Sequence, residues 1–159
     1  MVRFRHLAAV TTGMTFVLIL LGVYTAAAGA GLSCGARWPL CNGAVFGLFP
    51  ADWPSFIEWF HRLVAMITGF AILGTTYLAW RQDEARRTKY ATVLALVALP
   101  IQVILGGATV TVYTPLVQVA HHGAALVIFG ALIAATVWAY EATPDDPATA
   151  DTAAAASAD

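Results

Sequence analysis

Residues 7–28, LAAVTTGMTFVLILLGVYTAAA, contain no charged side chain, and their only polar members are threonines and one tyrosine. At 1.5 Å per residue, a helix over this stretch is about 33 Å long, enough to cross the roughly 30 Å hydrocarbon core of a bilayer. The stretch therefore predicts a membrane-spanning helix.

The rest of the chain repeats this pattern. Of its 159 residues, 60% are hydrophobic and only 11% are charged, a balance foreign to soluble domains. Three more apolar segments of spanning length follow, at about 56–80, 90–112 and 116–140. The sequence thus predicts an all-α membrane protein, a four-helix transmembrane bundle over residues 1–141. The acidic, alanine-rich residues 142–159 have nothing apolar to bury, and we expect a disordered tail there.

The charges predict the orientation. Lysine and arginine in short loops are retained on the cytoplasmic side, and six of the eight such residues lie before the first span or between the second and third. We therefore expect a multi-pass protein of the cell membrane with both termini cytoplasmic and the loop between helices 1 and 2 outside. A net charge of −1 without a basic face argues against nucleic-acid binding. Residues 26–28, three alanines, also resemble a signal-peptide cleavage site, but the apolar stretch is long for one, and we expect a retained helix.

Both cysteines lie in the loop between helices 1 and 2, in GLSCGARWPLCNG, residues 31–43, called here the cysteine loop. Glycine and proline let this loop turn, and an external compartment is oxidising, so we expect a Cys34–Cys41 disulfide. It is either a structural staple or a redox-active pair. Two thiols without a nearby histidine fall short of the four ligands of a typical zinc site.

Ionisable groups inside spans are expensive and are therefore functional candidates. Helix 2 carries Glu58 and His61 one turn apart near its outer end, and helix 4 carries His121 and His122 near its outer end. Two imidazoles at similar depth on facing helices can supply both axial ligands of a haem iron. We expect nearby small residues to provide room for the macrocycle: Gly69, Gly106, Gly107 and Gly123.

Simpler interpretations stay open for each group. A histidine near a helix end often only reaches toward the interface. Glu58 lies near a helix N-terminus and four residues before Arg62, so a dipole interaction and an ion pair account for it equally well. Gln102 on helix 3 is expected to hydrogen-bond another helix.

Four motifs in order, GLSCGARWPLCNG, IEWFHRLVAMITG, QVILGGATV and VQVAHHGAAL, resemble the haem A synthase family over about residues 20–130. The resemblance implies an oxidoreductase that converts a ring methyl of haem O to the formyl group of haem A for haem-copper terminal oxidases. It further implies haem b or haem O as the bound iron porphyrin, with haem O synthase and a terminal oxidase as partners.

Carried over by position, the resemblance assigns His61 and His121 to the haem iron and Glu58 to the oxidation, and it supports the Cys34–Cys41 bridge. His122 is the weaker haem-binding candidate, because it lies about 100° around the helix from His121.

The chain departs from the family in size. Better-known members have eight spans in two similar halves, whereas this chain has one half, so we expect a homodimer or higher homo-oligomer. Two other functions remain open. A non-catalytic cytochrome b would use the same histidines to carry electrons. A membrane thiol-disulfide oxidoreductase is less favoured, because such enzymes usually need a second cysteine pair.

Overall fold

The computed structural model describes residues 3–35, 37–38, 41, 50 and 52–141. It contains four long helices and, after the first, a short 3-10 helix at Ala30–Leu32. The long helices are α1 (Phe4–Ala27), α2 (Trp53–Arg81), α3 (Arg86–Thr111) and α4 (Pro115–Glu141). All four are long and apolar enough to cross a membrane, and the described ranges contain no strand. The predicted all-α membrane fold is confirmed. The predicted disordered tail, residues 142–159, lies outside the described residues.

Each helix begins before its predicted apolar segment, whereas α1 and α3 end one residue short of theirs. α3 begins at Arg86 rather than near residue 90, because arginine and lysine are good helix formers and continue the helix beyond its apolar part. α2 begins at Trp53 because Asp52 caps it: Oδ1 of Asp52 accepts a 2.9 Å hydrogen bond from the backbone nitrogen of Ser55. Pro54 lies in the first turn, where a backbone N–H has no intrahelical partner, so the missing N–H of proline costs no hydrogen bond.

The order of packing around the bundle decides which helices face each other. α1 packs against α2 and α4, and α3 packs against the same two helices. α2 and α4 are therefore diagonal partners that face each other across the bundle interior. Only residues 112–114 separate α3 from α4, and the two pack extensively as neighbours, as the short connection predicts.

Small and hydroxylated side chains fill much of the interior. One buried cluster joins Ile72 and Leu132 to alanines of α3 and α4, and another surrounds Phe4. Threonines link the helices: the hydroxyls of Thr11 and Thr75 lie 2.9 Å apart, as do those of Thr12 and Thr136. Small residues let membrane helices approach closely, and hydroxyl pairs add interhelical hydrogen bonds.

The two ends of the bundle differ in character. One end, called here the basic end, carries six cations, three of which lie over aromatic rings. The pairs are Arg5 with Tyr140, Arg87 with Trp138, and Lys89 with Trp80. The opposite end, called here the loop end, carries the 3-10 helix, the described part of the cysteine loop and the candidate site residues.

Candidate functional site

His61 lies on α2 about 12 Å from the start of the helix at the loop end. Its ring packs against α1 at Gly22, where an added Cβ would lie only 3.0 Å from Cε1 of His61. Nδ1 of His61 is buried and has no hydrogen-bond partner among the described residues. The imidazole is thus held by packing against a glycine and not by a hydrogen bond to Nδ1.

His121 lies on α4 about 9 Å from the start of that helix, also at the loop end. Its ring packs against Gly106 of α3, where an added Cβ would lie 3.3 Å from Cε1 of His121. The side-chain nitrogen of Gln102 approaches Nε2 of His121 at 3.3 Å, whereas Nδ1 is buried without a partner in the described part of the chain. The expected interhelical hydrogen bond of Gln102 is therefore present, and its partner is a candidate ligand.

The two histidines occupy corresponding places on diagonal helices. Each lies near the loop end of its helix, and each ring packs against a glycine on a neighbouring helix. The fold thus places one imidazole of α2 and one of α4 at similar depth on diagonal helices.

His122 makes a different contact. Its Nδ1 lies 2.8 Å from the backbone oxygen of Gln118, one turn earlier on its own helix. Its ring meets that of His121 edge to face, with centroids 6.0 Å apart. One ring nitrogen of His122 is therefore engaged with α4 itself, whereas the ring of His121 packs against α3.

Glu58 is the one acidic side chain in the buried class among the described residues, with 3% of its surface exposed. Its Oε2 accepts hydrogen bonds from the backbone nitrogen of Cys34 at 2.8 Å and from the hydroxyl of Ser33 at 3.2 Å. Its Oε1 forms an ion pair with Arg62, the pairing that the four-residue spacing predicts. Donors on both oxygens compensate the buried negative charge.

The disulfide is present between Cys34 and Cys41, whose Cα atoms lie 4.5 Å apart. Both sulfurs rest against the backbone oxygen of Ser55 in the first turn of α2, at 3.7 and 3.6 Å. Ser55 Oγ also lies 3.1 Å from the backbone oxygen of Ser33. The bridge thus fastens the cysteine loop to the start of the helix that carries Glu58 and His61.

Two further contacts extend the described part of the loop across the bundle. Arg62 donates a 2.9 Å hydrogen bond from Nη1 to the backbone oxygen of Arg37. The ring of Trp38 packs against Gly107 of α3, where an added Cβ would lie 3.5 Å from the ring. The described loop residues therefore contact both α2 and α3 at the loop end.

Sequence reasoning only partly identified the glycines around the histidines. Of the four that it named, Gly106 meets a histidine, Gly107 meets Trp38, Gly69 meets Leu99 at 3.6 Å, and Gly123 has open space. Gly22, which packs on His61, was missed, because a glycine in an apolar helix gives no sign of its partner on another helix. Asp52, the helix cap, was missed as well, although an Asp-x-Pro-Ser start is a recognisable signal.

No group of three or more His, Cys, Asp or Glu side chains that could hold a bare metal ion occurs in the ranges described. A haem iron needs fewer protein ligands, because the porphyrin supplies four nitrogens and the protein at most two. A pair of imidazoles is a suitable donor set for such a group.

Fold and site together define a four-span membrane protein with a histidine pair beneath a disulfide-bridged loop. The chain belongs to the COX15-CtaA family of cytochrome oxidase assembly proteins, whose sequence profile matches residues 5–158. The resemblance to the haem A synthase family is thereby confirmed at the level of the family.

Several curated relatives cover most of the chain. It is 35% identical over 141 residues to a heme A synthase of Bacillus licheniformis, covering 87% of this chain and 46% of the relative. A heme A synthase of Bacillus pumilus is 32% identical over 143 residues, with the same coverage. A protoheme IX farnesyltransferase of Halobacterium salinarum is 37% identical over 142 residues, covering 88% of this chain and 30% of that protein. The chain thus spans less than half the length of these relatives. No solved structure matches it.

Proposed function

We propose that this protein is a haem A synthase, which oxidises a ring methyl of haem O to the formyl group of haem A. The observation that carries the proposal is the pair formed by His61 and His121 on diagonal helices at one end of the bundle. Membership of the family and the similarity to proteins named heme A synthase support the same chemistry.

The residues present fit an iron porphyrin. His61 and His121 would supply the two axial ligands, and Gly22 and Gly106 leave no side chain where each ring packs. In both rings Nδ1 is buried without a partner among the described residues, and Gln102 contacts Nε2 of His121. Bound haem b or haem O would supply the redox chemistry, while the chain supplies position and charge.

Glu58 is the proposed acidic group of the reaction. Converting a methyl to a formyl group takes one oxygen from water and releases four protons and four electrons, the electrons passing to an external acceptor. Glu58 lies one turn before His61 and carries a buried, compensated negative charge. That charge is suited to stabilising positive charge that develops on the reacting carbon, or to accepting one of the released protons.

Two copies of the chain would replace the two halves of a longer relative. This chain covers 46% of the Bacillus licheniformis protein, which leaves room for a second unit of the same size. We propose a homodimer or higher homo-oligomer. A mass of at least two chains for the detergent-solubilised protein supports this proposal, and a single-chain mass contradicts it.

The proposed location is the cell membrane, with the basic end cytoplasmic and the loop end outside. The cations of the basic end follow the bias that retains lysine and arginine in the cytoplasm. Haem O synthase is the proposed supplier of substrate, and a haem-copper terminal oxidase is the proposed recipient of product.

Product analysis tests the proposal. The chain is expressed in cells that make haem O but lack haem A, and the extracted haems are separated and identified by mass spectrometry. Haem A that depends on His61 and Glu58 supports the proposal. Bound but unmodified haem instead indicates a non-catalytic cytochrome b. A second strain that makes only haem b tests the similarity to the farnesyltransferase, since a new farnesylated haem there would assign that activity.

A further inference from the structure

Gln102 is a half-buried polar residue to which the proposed reaction assigns no role. It lies on α3, and its side-chain nitrogen contacts Nε2 of His121 on α4 at 3.3 Å. An amide N–H donates, so Nε2 of His121 accepts and the proton of the neutral ring then lies on Nδ1. In this arrangement Oε1 of Gln102 and Nδ1 of His121 are buried without partners among the described residues.

The nitrogen that Gln102 contacts is the one that suits iron. Nδ1 is bonded to Cγ, the ring atom that carries Cβ, so a broad macrocycle bound there would collide with the backbone of the same helix. Nε2 points away from the helix and has one lone pair. That lone pair accepts a hydrogen bond from Gln102 or binds iron, and it cannot do both.

We propose that Gln102 is a positioning residue that competes with haem iron for His121. This inference rests on the proposed function, in which His121 is an iron ligand. Gln102 contacts the ring at the nitrogen that would bind iron, and iron bound at that nitrogen would replace this hydrogen bond. A protein that takes up one haem and gives up another benefits from a competitor that lowers the barrier to release.

The contact has the properties that an exchangeable hydrogen bond needs. At 3.3 Å it is longer than a typical hydrogen bond to nitrogen, and it leaves one polar atom of each partner unsatisfied. Such a contact is weak enough to break when a stronger ligand arrives, yet it keeps the ring in place until then.

The experiment measures haem b dissociation from the full-length protein in detergent micelles, using excess haem-free myoglobin as the scavenger. Gln102→Leu replaces the amide with an apolar group of similar volume, and Gln102→Ala removes it altogether. Loss of the competing hydrogen bond is expected to slow dissociation about threefold to tenfold in both variants. Gln118→Leu, one turn before His122 on α4, is the matched control and is expected to dissociate like the unaltered protein.

The direction of the change separates the interpretations. Unchanged or faster dissociation in both Gln102 variants overturns the proposal, because a residue that merely supports the fold or orients the bound ligand would loosen the haem when lost. A separate result would contradict the proposed function. If the unaltered protein binds no haem b, or if His121→Ala leaves the spectrum of the haem b complex unchanged, both the proposed haem site and this inference are wrong.

Discussion

The backbone nitrogen of Cys34 donates a 2.8 Å hydrogen bond to Oε2 of Glu58, which is buried in the first turns of α2. The disulfide that closes the cysteine loop is thus joined to the helix that carries His61. Glu58 therefore has a structural task in addition to its proposed chemical one, and experiments have to separate the two.

Glu58→Gln removes the ion pair with Arg62 while keeping the side chain's shape. We expect haem A formation to fall by about 10²-fold or more, and the free energy of unfolding to fall by about 1–3 kcal/mol because a buried charged pair is broken. Extracted haem and denaturant unfolding in detergent measure the two effects.

Glu141→Gln is the matched control, because Glu141 also pairs with an arginine but is 55% exposed. It should change the stability by less than about 0.5 kcal/mol. Haem A formation that survives Glu58→Gln at normal protein and haem levels would refute the chemical role and leave only the structural one.

The double substitution Cys34→Ser with Cys41→Ser tests whether the bridge is a staple. Opening a loop with a sequence separation of 7 should cost about 2–3 kcal/mol of stability in the loop-entropy model. If the bridge is only structural, haem A formation should decline in parallel with the amount of folded protein. A folded, haem-binding variant with no haem A formation would instead assign a redox role to the pair.

Gly22→Ala tests the packing of His61. The new Cβ would lie 3.0 Å from Cε1 of His61, so the ring has to move, and we expect haem b affinity to fall about tenfold or more. Titration of the haem-free protein with haem b measures it. Gly13→Ala lies on the same helix, where nothing stands within 4 Å of the added atom, and its affinity should be unchanged. Equal affinities in the two variants would show that the packing of His61 on α1 does not position the ligand.

Thr75→Val removes one hydroxyl of the Thr11–Thr75 pair while keeping the side chain's shape. Interhelical hydrogen bonds in membranes contribute about 0.6–1.7 kcal/mol, and we expect a loss of stability in that range. Haem binding should not change, because Thr75 lies about 21 Å further along α2 than His61. Thr111→Val, at an exposed position whose hydroxyl bonds only its own helix, should cost less. A Thr75 variant that loses haem but not stability would mean that the hydroxyl pair belongs to the site.

The sequence was informative where a property belongs to one segment. Apolar length predicts each span, the spacing of two cysteines in a turning loop predicts the bridge, and the spacing of Glu58 and Arg62 predicts their ion pair. These features depend on local periodicity, chain reach and charge, which can be read without knowing which helices are neighbours.

Other features depend on contacts between segments and were not predictable from one chain. The packing of His61 on Gly22, of Trp38 on Gly107 and of Thr11 on Thr75 joins residues far apart in sequence. Gln102 was expected to bond another helix, but only the packing of α3 on α4 identifies His121 as its partner. A glycine or threonine in an apolar helix has many possible neighbours, and helix packing selects one.

The central claim is that His61 and His121 together bind one haem iron, and the optical and electron paramagnetic resonance spectra of the haem b complex test it most directly. We predict a six-coordinate, low-spin iron in the unaltered protein and in His122→Ala, and loss of that low-spin state in both His61→Ala and His121→Ala. A low-spin spectrum that persists in either of these last two variants would contradict the claim.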